Sequence, residues 1–290
     1  MAERRYPLGP RDLARVFTPF HNVSYYAPEM QAFVEAGMRG WWMAYFAYRA
    51  APMGAVPAEV VIATFYNFAP RMIRRAVPQV WIVMSPAAAI ALRDQCVDQA
   101  LRRLLADRCN DAALAEAARL ARASIEGCDP GARVLYAAHT ALPWPHEPHR
   151  MLWHASTLLR EHRGDSHILA LAAAEVDDVQ AHILMAARGQ GTKATILPLR
   201  GWTSEEWDDG VARLVERGWL HPDGTFTAQG ASNRREIEAQ TDRLTHEPFR
   251  RLGPERAQRL MDLMQPYVEQ LYRGGIAIQW PPPQRLPRAE

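Results

Sequence analysis

The stretch TSEEWDDGVARLVERGWLHPDGTFTAQG, residues 203–230, decides the fold. Its opening, Thr203-Ser204-Glu205-Glu206, is a capping box: the Thr203 hydroxyl accepts from the amide three residues on, and Glu206 reaches back to the first amide. Trp207, Val211, Leu214 and Val215 then recur at helical spacing until Gly218 stops the helix. Trp219-Leu220 and Thr225-Phe226-Thr227 flank His221-Pro222-Asp223-Gly224, and Asp-Gly between two short runs predicts a tight hairpin. From Ala228 a long helix follows through Arg234, Ile237 and Leu244.

Helix, hairpin and helix in this order make the C-terminal part of a winged helix-turn-helix. Upstream, Asp177 is an N-cap for a helix from Val179 to Ala187. Pro148 starts a helix whose Met151, Leu152, Ala155, Leu158, Leu159 and His162 share one stripe. Gly164 reads as its end, and Asp165-Ser166 as the cap of another helix running to about Glu175, so Arg163-Gly164-Asp165 is helix punctuation. Nearer the N-terminus, Pro28-Glu29 opens a helical run to Ala50 that Ala51-Pro52-Met53-Gly54 closes, and Pro57 and Pro70 each start a helix. Gln79 to Met84 is a short β-like segment, Pro86 to about Leu105 a helix, and Asp111 to Glu126 an alanine-rich connecting helix.

A weak repeat joins the two ends of this reading. Arg71-Met72-Ile73-Arg74-Arg75, the segment to Met84 and Ser85-Pro86 through Arg93 run parallel, at constant offset, to Arg213 through Arg217, the hairpin and Thr227 through Arg235. The expected fold class is therefore mainly α with small β-wings, as tandem, pseudo-duplicated winged helix-turn-helix-like halves. The expected divisions are an N-terminal half at 1–106, a helical connector at 107–141, a C-terminal half at 142–273 and a Pro-rich tail at 274–290. Such a chain imitates a dimer, so a pseudo-dimeric monomer or a homodimer is expected.

Composition narrows the function classes. A chain of 290 residues with 48% hydrophobic and 23% charged residues is globular rather than disordered. A net charge of +2 sets up no strong field for bulk nucleic acid. Three cysteines, Cys96, Cys109 and Cys128, have neither disulfide parity nor metal spacing and read as buried or free thiols. Residues Met1 to Pro10 lead into no apolar signal segment, and the most hydrophobic run, Gly40 to Tyr48, is too short to cross a bilayer, so a cytoplasmic protein with no membrane partner is expected.

Val211 through Leu220, Asp223 through Thr227, Gly230, Ile237-Glu238 and Thr241-Asp242 resemble the winged helix of MarR-type regulators. More closely, the chain from about His21 to Leu271 is similar to actinobacterial SalK-like winged-helix proteins. The matching stretches are His21, Pro28-Glu29, Gly40-Trp41-Trp42, Tyr45-Phe46-Ala47, Arg49 to Gly54, Phe65 to Phe68, Leu142 to Pro145, Leu152-Trp153-His154, Leu159 to Asp165 and Gly201-Trp202. The resemblance implies a fold, and in the MarR type an effector cavity where the dimerisation helices meet the winged domain.

Duplex binding by this fold needs cations over phosphate and base readers at the N-terminus of the recognition helix. Here that terminus carries Glu205, Glu206, Asp208 and Asp209, and the wing has no arginine. Arg71, Arg74 and Arg75 do share a face after Pro70, but a solvated face or contacts between the halves explain them as well, so DNA is a disfavoured partner and a MarR-like DNA-binding regulator the alternative reading. The aromatic content points instead to a pocket between the halves for an aromatic or apolar small molecule. Its expected ligand-binding residues are Tyr26, Trp41, Arg49, Tyr66, Asn67, Trp144, His149 and Trp153, each of which can equally be core. His21, Glu29 and His154 are the candidates for acid–base catalysis, an imidazole tuned by a carboxylate being the usual device. No phosphate loop, nucleophile elbow or HExxH occurs; no metal ligand set is assigned, and the sequence names no cofactor.

Overall fold

The computed structural model describes residues 9–276, and the tail expected at 274–290 lies outside the described residues from 277 on. The chain is mainly helical: α1 (Pro10–Tyr26), α2 (Ala32–Glu35), α3 (Trp41–Ala50), α4 (Ala58–Phe65), α5 (Pro70–Ala76), α6 (Gln79–Val83), α7 (Pro86–Leu105) and α8 (Ala112–Ile125). Then follow α9 (Val134–Thr140), α10 (Pro148–Ala173), α11 (Asp178–Ala187), α12 (Lys193–Arg200), α13 (Ser204–Glu216), α14 (Ala228–Leu244), α15 (His246–Leu252) and α16 (Pro254–Arg273).

Two hydrophobic cores organise these helices. The larger gathers α1 to α9, the first half of α10 as far as Leu159, and α15 with α16, which return to pack on α8 and α1. The smaller holds Ala170 and Leu171 of α10, Val179 and Ile183 of α11, Ile196 of α12, Trp207 and Leu214 of α13 and Ile237 of α14. α10 belongs to both, so it is the beam on which the second core is hung.

Local chemistry sets the helix starts around the second core, at Asp177 and Thr203 where the sequence predicts them and at Thr192 besides. Asp177, Thr192 and Thr203 each cap a helix with a capping box, and Thr227 accepts from the Gly230 amide at 2.9 Å. Gly230 has no alternative there, since a Cβ at that position stands 1.8 Å from the Trp219 carbonyl oxygen. The Thr227 amide donates to that same oxygen, which closes the hairpin. The expected wing shrinks to a single antiparallel bridge, Leu220 with Phe226, and no strand forms among the described residues.

Three local expectations are corrected. Gln79 to Met84 is α6, not a β-like segment: after Pro78 comes a helix with no side-chain cap whose Val80 is buried while Ile82 is 77% exposed, so tertiary packing overrides the β-branched run. The run from Pro28 to Ala50 is a 3-10 turn at Pro28–Gln31, then α2 and α3, broken at Gly40 with φ 88°. Gly164 does not end the Pro148 helix, and Arg163-Gly164-Asp165 is not punctuation but helix interior. Asp165 accepts from the Tyr136 amide of α9 at 3.0 Å, and Ser166 donates to the His162 carbonyl, so neither residue caps a new helix. All three cysteines are buried and unpaired, and no single described helix is long and apolar enough to cross a membrane.

Candidate ligand site

α10 leaves the first core at Leu159 and enters the second at Ala170, and between them it carries Arg160, Glu161, Asp165 and His167. On the side where α3, α11 and α12 approach, the seam opens into a cavity of about 300 Å³. Arg49 from α3, Arg160 from α10 and Arg200 from the end of α12 all line it. Tyr25, Tyr45, Phe65 and Tyr66 supply an aromatic wall.

The electrostatics are lopsided. Arg49 donates to both oxygens of Glu161, at 3.3 and 3.2 Å, and to the Tyr45 hydroxyl at 2.8 Å, while Arg160 donates to Glu161 at 2.6 Å. Burial alone would raise the Glu161 carboxyl, but Arg160 and Arg49 more than reverse it and hold it well below the usual carboxylate range. Arg200 stacks on the Phe68 ring at 4.3 Å, and burial, joined by repulsion from Arg49 and Arg160, brings its pKa down to about 9. Asp165 moves the other way: burial first, and Glu161 second, push it up to about 7. His182 donates to the Asn67 carbonyl at 2.8 Å, and burial lowers its pKa to about 3, so it is neutral.

Of the residues the sequence singles out, Arg49, Tyr66 and Asn67 line this cavity. His21 lies behind its wall, bonded to the Tyr25 hydroxyl at 2.7 Å and to Thr157 at 3.2 Å, and burial, then Arg160, lower its pKa well below the ordinary value. Trp41 stacks on Tyr45, with ring centroids 5.3 Å apart, and Tyr26, the last residue of α1, is buried. The remaining candidates sit elsewhere. Glu29 is held by Arg103 through two hydrogen bonds, His149 meets Asp98 at 2.6 Å, and Arg93 lies over the Trp153 ring. His154 packs edge-on against Trp144, and burial drops its pKa to about 3. His21, Glu29 and His154 therefore have separate partners: Tyr25 and Thr157, Arg103, and Trp144. Among the described residues no group of three or more His, Cys, Asp or Glu side chains is placed to hold a metal ion.

Sequence reasoning misses Arg160, Asp165, His182 and Arg200. A signal existed: Arg160, Glu161 and Asp165 interrupt an otherwise apolar stripe, which is the pattern of a polar cluster carried into an interior.

The same seam involves the helices on either side of Gly201. α12 and α13 are joined by the short turn at Gly201-Trp202, and that turn docks on the start of α5: the Ala69 amide donates to the Arg200 carbonyl at 2.9 Å. Arg71 reaches both oxygens of Glu206 on α13, at 2.6 and 2.7 Å, and also the Gly201 carbonyl. Arg74 bonds Glu59 at 3.0 Å, which leaves Arg75 exposed on that face. On α13 itself Asp208 pairs with Lys193 and Asp209 with Arg213. Residues 10–278 match the model of a helix-turn-helix family. The chain belongs to that helix-turn-helix family. No curated protein and no solved structure gives a match to this helix-turn-helix protein.

Proposed function

We propose that this helix-turn-helix protein binds a small molecule in the seam cavity and has weakened its hold on DNA. The observation that carries the reading is the cavity itself: three guanidinium groups and an aromatic wall converge on about 300 Å³ between the two cores. Arg49 and Arg200 are buried there, and arginines turned inward cost desolvation, which a merely structural seam of helices does not require. The DNA-facing surface supports the second half of the proposal, since the Arg71 cation is bonded to the very helix that would enter the groove. Carboxylates at the start of α13 favour the helix and repel phosphate.

Tandem descent of the two halves is part of the same proposal. Ser85 accepts from the Ala88 amide and Thr227 from the Gly230 amide, so α7 and α14 start with the same cap at the repeat's offset. In the place of the C-terminal hairpin and its reduced wing, the first half has α6. Recruitment of the cavity for acid–base chemistry belongs to this reading too, with His21 the nearest of the catalytic candidates.

A MarR-like DNA-binding regulator is the second reading, and membership of a helix-turn-helix family favours it. Native mass spectrometry of protein purified without added ligand, followed by a crystal structure, separates the two. The first reading expects a retained molecule of low mass lying in the seam. A seam closed by side chains, with duplex binding that weakens steeply as salt rises, would establish the second reading instead.

A further inference from the structure

We infer that the protein has a second small-molecule site, between α1, α10, α14 and α15, which takes an uncharged and largely apolar molecule whose hydroxyl or carbonyl head meets His162. The site is a cavity of about 300 Å³. It shares Thr18, Arg160, Gly164 and His167 with the seam cavity but none of the aromatic wall, so the inference goes beyond the seam reading and does not depend on it.

The argument is an account of hydrogen bonds. Leu13, Phe17, Leu159, Pro248 and Phe249 give the cavity an apolar lining. The threonine hydroxyls around it donate to their own helices: Thr18 to the Ala14 carbonyl at 2.7 Å, Thr241 to that of Ile237 at 2.8 Å and Thr245 to that of Thr241 at 2.8 Å. His167 meets the Thr241 hydroxyl at 2.9 Å. Arg160 pairs with Glu161, Arg163 with Asp242 and Glu238 with Arg234, so each charged group lining the cavity has a counter-ion within the protein. His162 differs. Only 2% of the residue is exposed, its ring stands at right angles to that of Tyr136 with centroids 5.0 Å apart, and among the described residues its imidazole has no hydrogen-bond partner. Burial, and after it Arg133, lowers its pKa to about 4, so the ring is neutral and offers one donor and one acceptor nitrogen. A buried polar group left unpaired costs more than a paired one contributes, and a ligand's hydroxyl or carbonyl supplies the bond that the four helices do not. An ion in the same place gives up its hydration and finds every counter-charge already taken.

Equilibrium dialysis of the whole chain at pH 7 against 2-naphthol, 2-methylnaphthalene and 2-naphthoate tests this. 2-Naphthol should bind about fivefold tighter than 2-methylnaphthalene, which has the same shape without the hydroxyl, and about tenfold tighter than 2-naphthoate. His162→Phe keeps a flat ring beside Tyr136, and should bring 2-naphthol down to the level of 2-methylnaphthalene while leaving the latter unchanged. Ala14→Phe fills the cavity from the half-buried face of α1 with His162 intact, and should cut the binding of both about tenfold. Binding of 2-naphthoate as tight as that of 2-naphthol would overturn the inference. So would 2-naphthol binding that is indifferent to either substitution, because the probe then lies in another cavity or is not read by His162. Failure of all three probes to bind up to their solubility limits overturns it too, and leaves the seam reading to its own experiment.

Discussion

The segment from Thr203 to Leu244 contains Arg213–Arg235, which runs parallel in sequence to Arg71–Arg93, and the two regions end as different structures. In the later one, capping box, helix, turn and helix lie where the local chemistry puts them, because each boundary is fixed by a side chain within three or four residues. In the earlier one the run Val80-Trp81-Ile82-Val83 is as β-prone as any in the chain and still forms a helix. What decides it is distant: Val80 is buried in the first core, and the Trp81 indole donates to the Val56 carbonyl at 3.0 Å. The lesson is that boundaries set by caps are legible, whereas a short element without a cap takes the form that its neighbours in space allow.

The sharpest way to test that contrast is a single methyl group. At Gly230 an added Cβ stands 1.8 Å from a backbone oxygen that the Thr227 amide also uses, so neither partner can yield cheaply. Gly230→Ala should cost about 4 kcal/mol or more, the range of severe core disruption, in thermal or urea unfolding. The parallel residue of the earlier stretch is Ala88, which is exposed, and Ala88→Gly should cost only about 1 kcal/mol through helix propensity. Comparable effects at the two positions would show that the halves are packed alike after all.

The next effect concerns the seam between the regions. Asp165 has a folded pKa of about 7 against an ordinary 3.8, so the folded chain binds its proton more tightly than the unfolded chain does. The associated stability is complete below about pH 4 and is lost as pH rises towards 7, in total about 4 kcal/mol at about 1.4 kcal/mol per pH unit. Asp165→Asn should remove this slope, so that the variant gains on the parent chain through the pH 4–7 window and holds a constant lead above it. Glu161 acts with the opposite sign. Its depressed pKa gives stability that is present above the ordinary carboxylate range and fails as pH falls through it, and Asp165→Asn leaves that acid limb unchanged. Denaturant midpoints measured from pH 3 to pH 9 would display both limbs.

How far the site was legible follows from the same distinction. Arg49, Tyr66 and Asn67 could be picked from the sequence because they stand as polar or hydroxyl groups inside aromatic runs. Arg160 and Asp165 were passed over although they interrupt an apolar stripe, because reading Gly164 as a helix end separated them, whereas they lie on one continuous helix. Arg200 was hidden for another reason: the last residue of a helix is an ordinary place for a cation, and only the docking of Gly201 on α5 turns it inward. Trp144, His149 and Trp153 fall in the first core beside α7 and α8, where Arg93, Asp98 and Arg122 engage them. Nothing in the sequence around them distinguishes that from a cavity wall.

Smaller effects refine the comparison of caps. Thr203→Ala and Ser85→Ala each remove one bond to a helical amide, from Glu206 and Ala88 respectively, and each should cost about 1 kcal/mol. Thr203→Ala has a second consequence, since the amide of residue 203 also holds Glu206, and Glu206 holds Arg71. A double-mutant cycle between Thr203→Ala and Arg71→Ala should therefore show coupling, while the pair Ser85→Ala and Arg71→Ala should be additive.

Arg71 itself gives the smallest effect on stability and the most informative one on function. Its two bonds to Glu206 join side chains that are 38% and 37% exposed, so water and salt screen the pair. Arg71→Ala should lower stability by less than about 1 kcal/mol. Arg75 is exposed on the same helix, and if α5 reads a duplex each of these arginines neutralises a phosphate. In that case Arg75→Ala should weaken duplex binding and reduce the salt slope by about 1. If Arg71 instead ties the lobes together, Arg75→Ala leaves duplex affinity where it was, and Arg71→Ala loosens only the seam. The loosening should appear as faster amide exchange at the N-terminal turn of α13, because Glu206 loses the cation that anchors it while its bond to the Thr203 amide persists.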